Sequence, residues 1–222
     1  MQVLGFDPSL TSFGWAVHDT AATGVDRCPA RGRLKTLAKT LFIDRYVEMR
    51  ENVLSLLERF PGLQLGCESS IFGEMYSEGM YGLYLYTCEA MRLSKRDVVF
   101  LTPPQVKVHA REFLCRPKID GKFWVMRKPD MVEAAQTDTG GSGRWGHDEA
   151  DAYWVARTAA RFWQHQEGVL ALDEMTPLEL KQFTEIRTYK RGKLAGKTVE
   201  KGILYREDER FFRWSLASGE DT

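Results

Sequence analysis

The period at which apolar residues recur changes along this chain, and that change limits the folds open to it. Residues 3–6, 13–18 and 30–36 are three short β-prone runs set off by Ser, Thr, Gly and other small residues, the pattern of an antiparallel meander. Beyond them the period lengthens. From 37 to 60, Phe42, Tyr46, Met49, Val53, Leu56 and Phe60 recur at steps of three and four, giving one buried helical stripe that Pro61-Gly62 ends. A short run at 63–67, a helix at 74–96, a strand at 98–101 and helices at 103–114, 129–137 and 147–164 follow, two of them opened by Pro103 and Pro129. A meander followed by alternating strands and helices predicts an α/β fold, a mixed five-stranded sheet flanked by helices.

The 74–96 helix differs from the first in having little polar face, which makes it either central or shared with a partner subunit. Gly79 and Gly82 on it allow another backbone to come close. After residue 168 the texture changes to a short helix near 177–183, a Gly- and Lys-rich stretch, and β-leaning residues at 202–214. We therefore expect one domain at 1–168 and an extension at 169–222 ending in a small β-hairpin. A chain of 222 residues with 43% hydrophobic side chains is long enough for one well-buried domain and such an appendage.

The formal net charge is zero, yet the charges are segregated. Residues 104–128 carry seven Lys or Arg against Glu112 and Asp120, and residues 181–201 carry seven against Glu185 and Glu200, about +5 in each block. Such blocks suit a phosphate-binding surface, although a basic run is as often only a solvated face. Cys28, Cys67, Cys88 and Cys115 are widely spaced and form no Cys-x-x-Cys pair, which supports neither a disulfide framework nor a zinc site. The opening residues do not read as a secretory leader and no run of about eighteen apolar residues occurs, so a cytoplasmic protein without a membrane partner is expected.

Four carboxylates occupy unusual places. Asp7 ends the first strand before Pro8, and Glu68 ends the 63–67 run, both at strand ends where loops present polar groups without disturbing a core. Asp148 and Asp151 are three apart at the start of the last helix, on the side that continues as Val155, Ala159 and Phe162. Each has an ordinary explanation: a turn residue, a polar strand end, or a complement to the helix dipole. Together they describe a cleft of like charges. Two charges about 4 Å apart at an effective dielectric near 20 repel by about 4 kcal/mol, so the cluster calls for a counter-ion. Oxygen donors without cysteine favour Mg2+ or Mn2+, and two such ions suit phosphodiester hydrolysis.

The run Val3-Leu4-Gly5-Phe6-Asp7-Pro8-Ser9-Leu10-Thr11-Ser12-Phe13-Gly14 resembles the first motif of RuvC-type Holliday junction resolvases, in the style of bacteriophage-encoded members. Glu68 is similar to the second acidic position, and His147-Asp148-Glu149-Ala150-Asp151-Ala152 resembles the closing motif; the likeness spans roughly residues 1–165. It implies a ribonuclease H-like fold and a homodimeric endonuclease that makes paired nicks in four-way DNA junctions with two Mg2+ or Mn2+ ions per site. By position, Asp7, Glu68, Asp148 and Asp151 would be the catalytic, metal-holding acids, with His147 in support or merely capping the helix. Gln105-Val106-Lys107 resembles a segment whose lysine contacts DNA, and Lys128 matches a second such lysine. Phe72 stands where the family inserts an aromatic into the junction. Arg116, Lys118 and Lys122 are further DNA-binding candidates from the basic block.

Three departures from the family pattern stand out: Ser9 replaces a usual glycine, the stretch 115–126 is inserted between the two lysines, and the 140–143 loop is extended. The tail beyond 164 has no counterpart. Rival readings are a broader nuclease on forks and flaps, a non-catalytic junction-binding module, and a small actin-like ATPase. The last would need a second domain and a phosphate-cradling loop that are not evident here.

Overall fold

The computed structural model describes residues 1–9, 11–36, 41–69, 78–116, 120–141, 143–177, 179, 186–188, 198–200 and 203–205. Strands β1 (Gln2–Asp7), β2 (Phe13–Asp19) and β3 (Arg31–Leu34) form the meander, followed by α1 (Phe42–Arg59), β4 (Gln64–Glu68), α2 (Glu78–Leu93) and β5 (Val98–Leu101). Helices α3 (Pro103–Phe113), α4 (Lys128–Asp138) and α5 (His147–Gln166) complete the core. The central strands lie in the order β3-β2-β1-β4-β5; β1 is antiparallel to β2 and parallel to β4, and β4 is parallel to β5. This is the expected mixed five-stranded sheet.

Strand β6 (Ile186–Thr188) pairs antiparallel with β7 (Thr198–Glu200), and β8 (Ile203–Tyr205) adds a sixth strand antiparallel to β5. Most of the hairpin expected at 202–214, and of the helix expected near 177–183, lies outside the described residues. The segment following α5 is anchored to the core as far as Glu179. That buried carboxylate takes a hydrogen bond from Arg161 on α5 at 2.7 Å and meets His109 on α3 at 3.1 Å.

Alternation along the strands divides the core in two. Leu4, Phe6, Leu65, Cys67, Val98 and Phe100 face α1 and α2, whereas Val3, Val99 and Leu101 face α3, α4 and α5. Helix α1 spans fewer residues than the 37–60 stretch, of which 37–40 lie outside the described residues. Helix α2 lies on the outside of the sheet, not at its centre: Leu83 and Tyr84 are buried, while Tyr81, Leu85 and Leu93 are exposed. At Gly82 a side chain, not another backbone, makes the close approach: a Cβ there would lie 2.6 Å from the Tyr46 ring of α1.

Helix α5 is pressed hardest onto the sheet. A Cβ on Gly14 of β2 would collide with the Asp148 carbonyl oxygen, one on Gly5 of β1 would fall 2.5 Å from the Ala156 nitrogen, and one on Gly66 of β4 2.5 Å from the Ala159 Cβ. These three glycines make a track across three strands, and Ala152, Ala156 and Ala159 run along it. Small residues on both sides allow backbone-to-backbone contact that any larger side chain would prevent. Among the described residues no helix is long and apolar enough to cross a membrane.

Candidate active site

Strand parity decides which way the first two acids point. Gly5 and Gly66 face α5, so Asp7 and Glu68, each two residues further along the same strand, face α5 as well. The parallel register pairs Phe6 with Cys67, which brings Asp7 and Glu68 side by side at the carboxyl ends of neighbouring strands. Asp7 is also the partner of Gly14, the residue on which the first turn of α5 rests. That contact sets Asp148 and Asp151 over the same strand ends.

The four acids interact strongly. Burial raises the Asp7 carboxyl well above the usual range, and Glu68, Asp151 and Asp148 raise it further, against a smaller opposing pull from Lys128. Burial, then Asp151, pushes Glu68 up to about 7, with Lys107 and Lys128 opposing. Asp151 is pushed up to about 6, first by burial and in part by Asp148, while Lys128, Lys107 and His147 pull it down. All four side chains are half-buried, so they remain reachable from solvent. Lys128, the first residue of α4, holds its ammonium 3.9 Å from Asp148 Oδ1. Lys107 projects from the exposed side of α3, a helix whose first turn Gln105 caps by accepting the Thr102 N–H at 2.7 Å.

Asp148 shares the acidic first turn of α5 with its neighbour Glu149. Gly146 is the N-cap of α5, and its N–H donates to Glu149 Oε2 at 3.0 Å; the same carboxylate faces Arg33 at 3.5 Å and Arg31 at 3.9 Å. Glu149 thus caps and balances the helix start. Sequence reasoning passed over it, and over Gly5, Gly14 and Gly66, although glycines inside strands opposite an alanine-rich helix are a readable sign of close packing. His147 is exposed and is not the cap; it stands within electrostatic reach of Asp151. Arg116 is engaged by Glu133 and lies 5.5 Å from the Trp124 ring centre, whereas Lys122 is exposed. Phe72 and Lys118 lie outside the described residues.

Among the described residues no three His, Cys, Asp or Glu side chains converge closely enough to make a ready-built metal cage. The fit to a metal lies in the donor chemistry. When ionised, the four carboxylates outnumber Lys107 and Lys128 by about two charges, one divalent cation's worth, and every acidic donor is a hard oxygen.

No protein-family model and no curated protein sequence matches the chain. Among solved structures, Thermus thermophilus RuvC in complex with a Holliday junction substrate superposes with a TM-score of 0.57 at 18% identity, covering 76% of this chain and 96% of that one. The chain has the fold of RuvC. A second T. thermophilus RuvC structure agrees, with a TM-score of 0.57 and 20% identity over 76% of this chain and 97% of the other. The RuvC fold extends the agreement from individual strands to the whole arrangement of sheet and helices.

Proposed function

We propose that this protein is a metal-dependent, structure-selective DNA endonuclease that resolves four-way junctions by paired nicks. The observation that carries the reading is the meeting of Asp7 and Glu68, from adjacent parallel strands, with Asp148 and Asp151 near the start of α5, in a half-buried cleft bordered by Lys107 and Lys128. The RuvC fold, found elsewhere with a Holliday junction bound, supports the substrate class.

In this reading Asp7, Glu68, Asp148 and Asp151 hold Mg2+ or Mn2+, two ions per site. Bound there, such ions would activate a water and stabilise the leaving oxygen in phosphodiester hydrolysis. Lys107 and Lys128 bind the flanking phosphates and place the strand over the acids, each as a flexible point charge. Glu149 keeps the start of α5 in place, so that Asp148 and Asp151 face the cleft. His147, exposed at the solvent edge beside Asp151, is the supporting residue of the centre in this reading.

Paired nicks require two sites, and a homodimer supplies them. Ile43 and Val47 are exposed one turn apart on α1, and Tyr81 and Leu85 one turn apart on α2, where the two helices meet through Tyr46 and Tyr86. An apolar surface of this kind, shared by adjacent helices, suits a second copy of the chain.

The test uses wild type and Asp7→Asn on labelled four-way junction, Y-fork and linear duplex, with Mg2+, Mn2+ or chelator. We expect paired nicks near the branch point that need the metal, and a loss of about a thousandfold or more in the variant with binding retained. Equal cutting of Y-forks replaces junction resolution with a broader branched-DNA nuclease. Undiminished cutting by the variant overturns the assigned centre.

A further inference from the structure

The edge strand β3 brings an arginine into line with the acids. Arg33 pairs with Gly14 of β2, Gly14 pairs with Asp7 of β1, and Glu68, beside Asp7 on β4, pairs with Leu101 of β5. Paired residues share a face of the sheet, so Arg33 stands on the α5 face with the acids, as its contact with Glu149 of α5 shows. Adjacent strands are about 4.8 Å apart, which puts the Arg33 backbone about 10 Å from that of Asp7, roughly three nucleotides' rise along a DNA strand. Lys107, six residues past Leu101, acts on Glu68 and Asp151 from the β5 side. Arg33 occupies the other flank.

The two arginines of β3 are used differently. Arg31 is built into the structure: its guanidinium lies 3.9 Å from the centre of the buried Trp145 ring and 3.9 Å from Glu149 Oε2. Arg33 meets Glu149 Oε1 through Nε at 3.5 Å, beyond the about 2.7–2.9 Å of a charge-assisted hydrogen bond, and its side chain is 42% exposed. Contact through Nε leaves the terminal η nitrogens to donate to a second anion, and the planar guanidinium suits phosphate. Two guanidiniums share one carboxylate here, so one positive charge is left over next to Asp148 in the chain. The 143–146 turn lies against Arg31, since a Cβ on Gly143 would fall 2.9 Å from its Nη2, and it adds the exposed Arg144 to the same flank.

We infer that Arg33 binds a phosphate of the cleaved DNA strand on the β3 side of the scissile position, opposite Lys107, so that the strand is gripped on both sides of the acids. Glu149 then has two tasks: it accepts the Gly146 N–H and it aims the Arg33 guanidinium. The inference rests on the nuclease reading of the acidic centre and adds to it a residue that fixes where along the strand the cut falls.

The test first maps the nick that wild type makes in a four-way junction with Mg2+. It then places single neutral methylphosphonates on either side of that nick and measures binding by fluorescence anisotropy in chelator, so that nothing is cut. Variants are Arg33→Gln and Arg33→Lys. Since the Arg33 side chain is exposed and Glu149 keeps Arg31, melting temperatures close to wild type are expected for both. Arg33→Gln should weaken binding roughly fivefold and reduce the slope of log K against log salt by about 1, as the loss of one phosphate contact requires. One methylphosphonate about three nucleotides from the nick should weaken wild type by a similar factor and leave Arg33→Gln unaffected, while Arg33→Lys should keep the wild-type slope. A wild-type slope and methylphosphonate profile in Arg33→Gln overturn the contact, and the nuclease reading stands as long as Asp7→Asn fails to cut. A slope reduced equally by Arg33→Lys also overturns it, because the charge is kept and only the packing around Glu149 is altered. If wild type makes no metal-dependent nick, both readings fall together.

Discussion

At the scale of single residues, the centre is a set of carboxyls whose ionisation opposes folding. A carboxyl whose folded pKa lies above its unfolded value holds its proton more tightly when folded. Its contribution to stability is therefore fully present below the unfolded value and is lost as pH rises through the folded one. For Glu68, raised from 4.5 to about 7, and Asp151, raised from 3.8 to about 6, that window runs from near pH 4 to near pH 7. Metal-free protein should lose stability from this site across the window. Comparison with Asp7→Asn cancels the contribution of other groups: in EDTA near pH 7.5 the variant should melt higher than wild type, and millimolar Mg2+ should raise wild type more than the variant. A lower melting point for Asp7→Asn in EDTA would show the carboxylates to be stabilising, contrary to their burial and mutual repulsion. The acids were legible in the sequence because their positions at strand ends and a helix start are local features. Their electrostatic union was not, because it depends on which strands lie side by side.

Elements, not residues, set the geometry of the cleft, and α5 is the decisive one. Its approach to β2 leaves no space for a side chain at Gly14, since a Cβ there would meet the Asp148 backbone. Gly14→Ala should therefore destabilise the fold by about 1–3 kcal/mol. It should also lower cleavage by about a hundredfold at temperatures where the variant is still folded, because displacing the first turn of α5 misplaces two of the four acids. Glu149→Ala acts on the same turn by another route: it removes the acceptor for the Gly146 N–H and the partner of Arg31 and Arg33. Urea denaturation should show a loss of about 1 kcal/mol, the usual worth of a helix cap. A stability unchanged within error would mean that solvent satisfies the helix start equally well. The helix itself was readable from its 3.6-residue period and the glycine-rich break at 140–143 before it. Its depth in the sheet was not, because glycines are silent in a periodicity argument until the opposing surface is known.

Across the whole molecule, α3, α4 and α5 cover one face of the sheet and α1 and α2 the other. The acids open at the strand ends under the first group, and the exposed Ile43, Val47, Tyr81 and Leu85 lie on the second. The homodimer reading predicts that Leu85→Glu, which places a charge on the exposed apolar side of α2, shifts the mass measured by light scattering from dimer to monomer. Junction cleavage should then pass from paired to single nicks. A mass unchanged by the substitution would move the interface elsewhere. The element order, the mixed sheet, the four acids and the two basic blocks all followed from the sequence by itself, because periodicity, strand-end position and charge segregation are properties of short stretches of chain. Tertiary structure alone decided that Asp7 and Glu68 stand on adjacent parallel strands and face α5, and that Glu149 accepts the N–H of the Gly146 N-cap while facing Arg31 and Arg33. Those outcomes depend on strand register, side-chain parity and helix depth, which arise only when residues far apart in the chain are packed against one another.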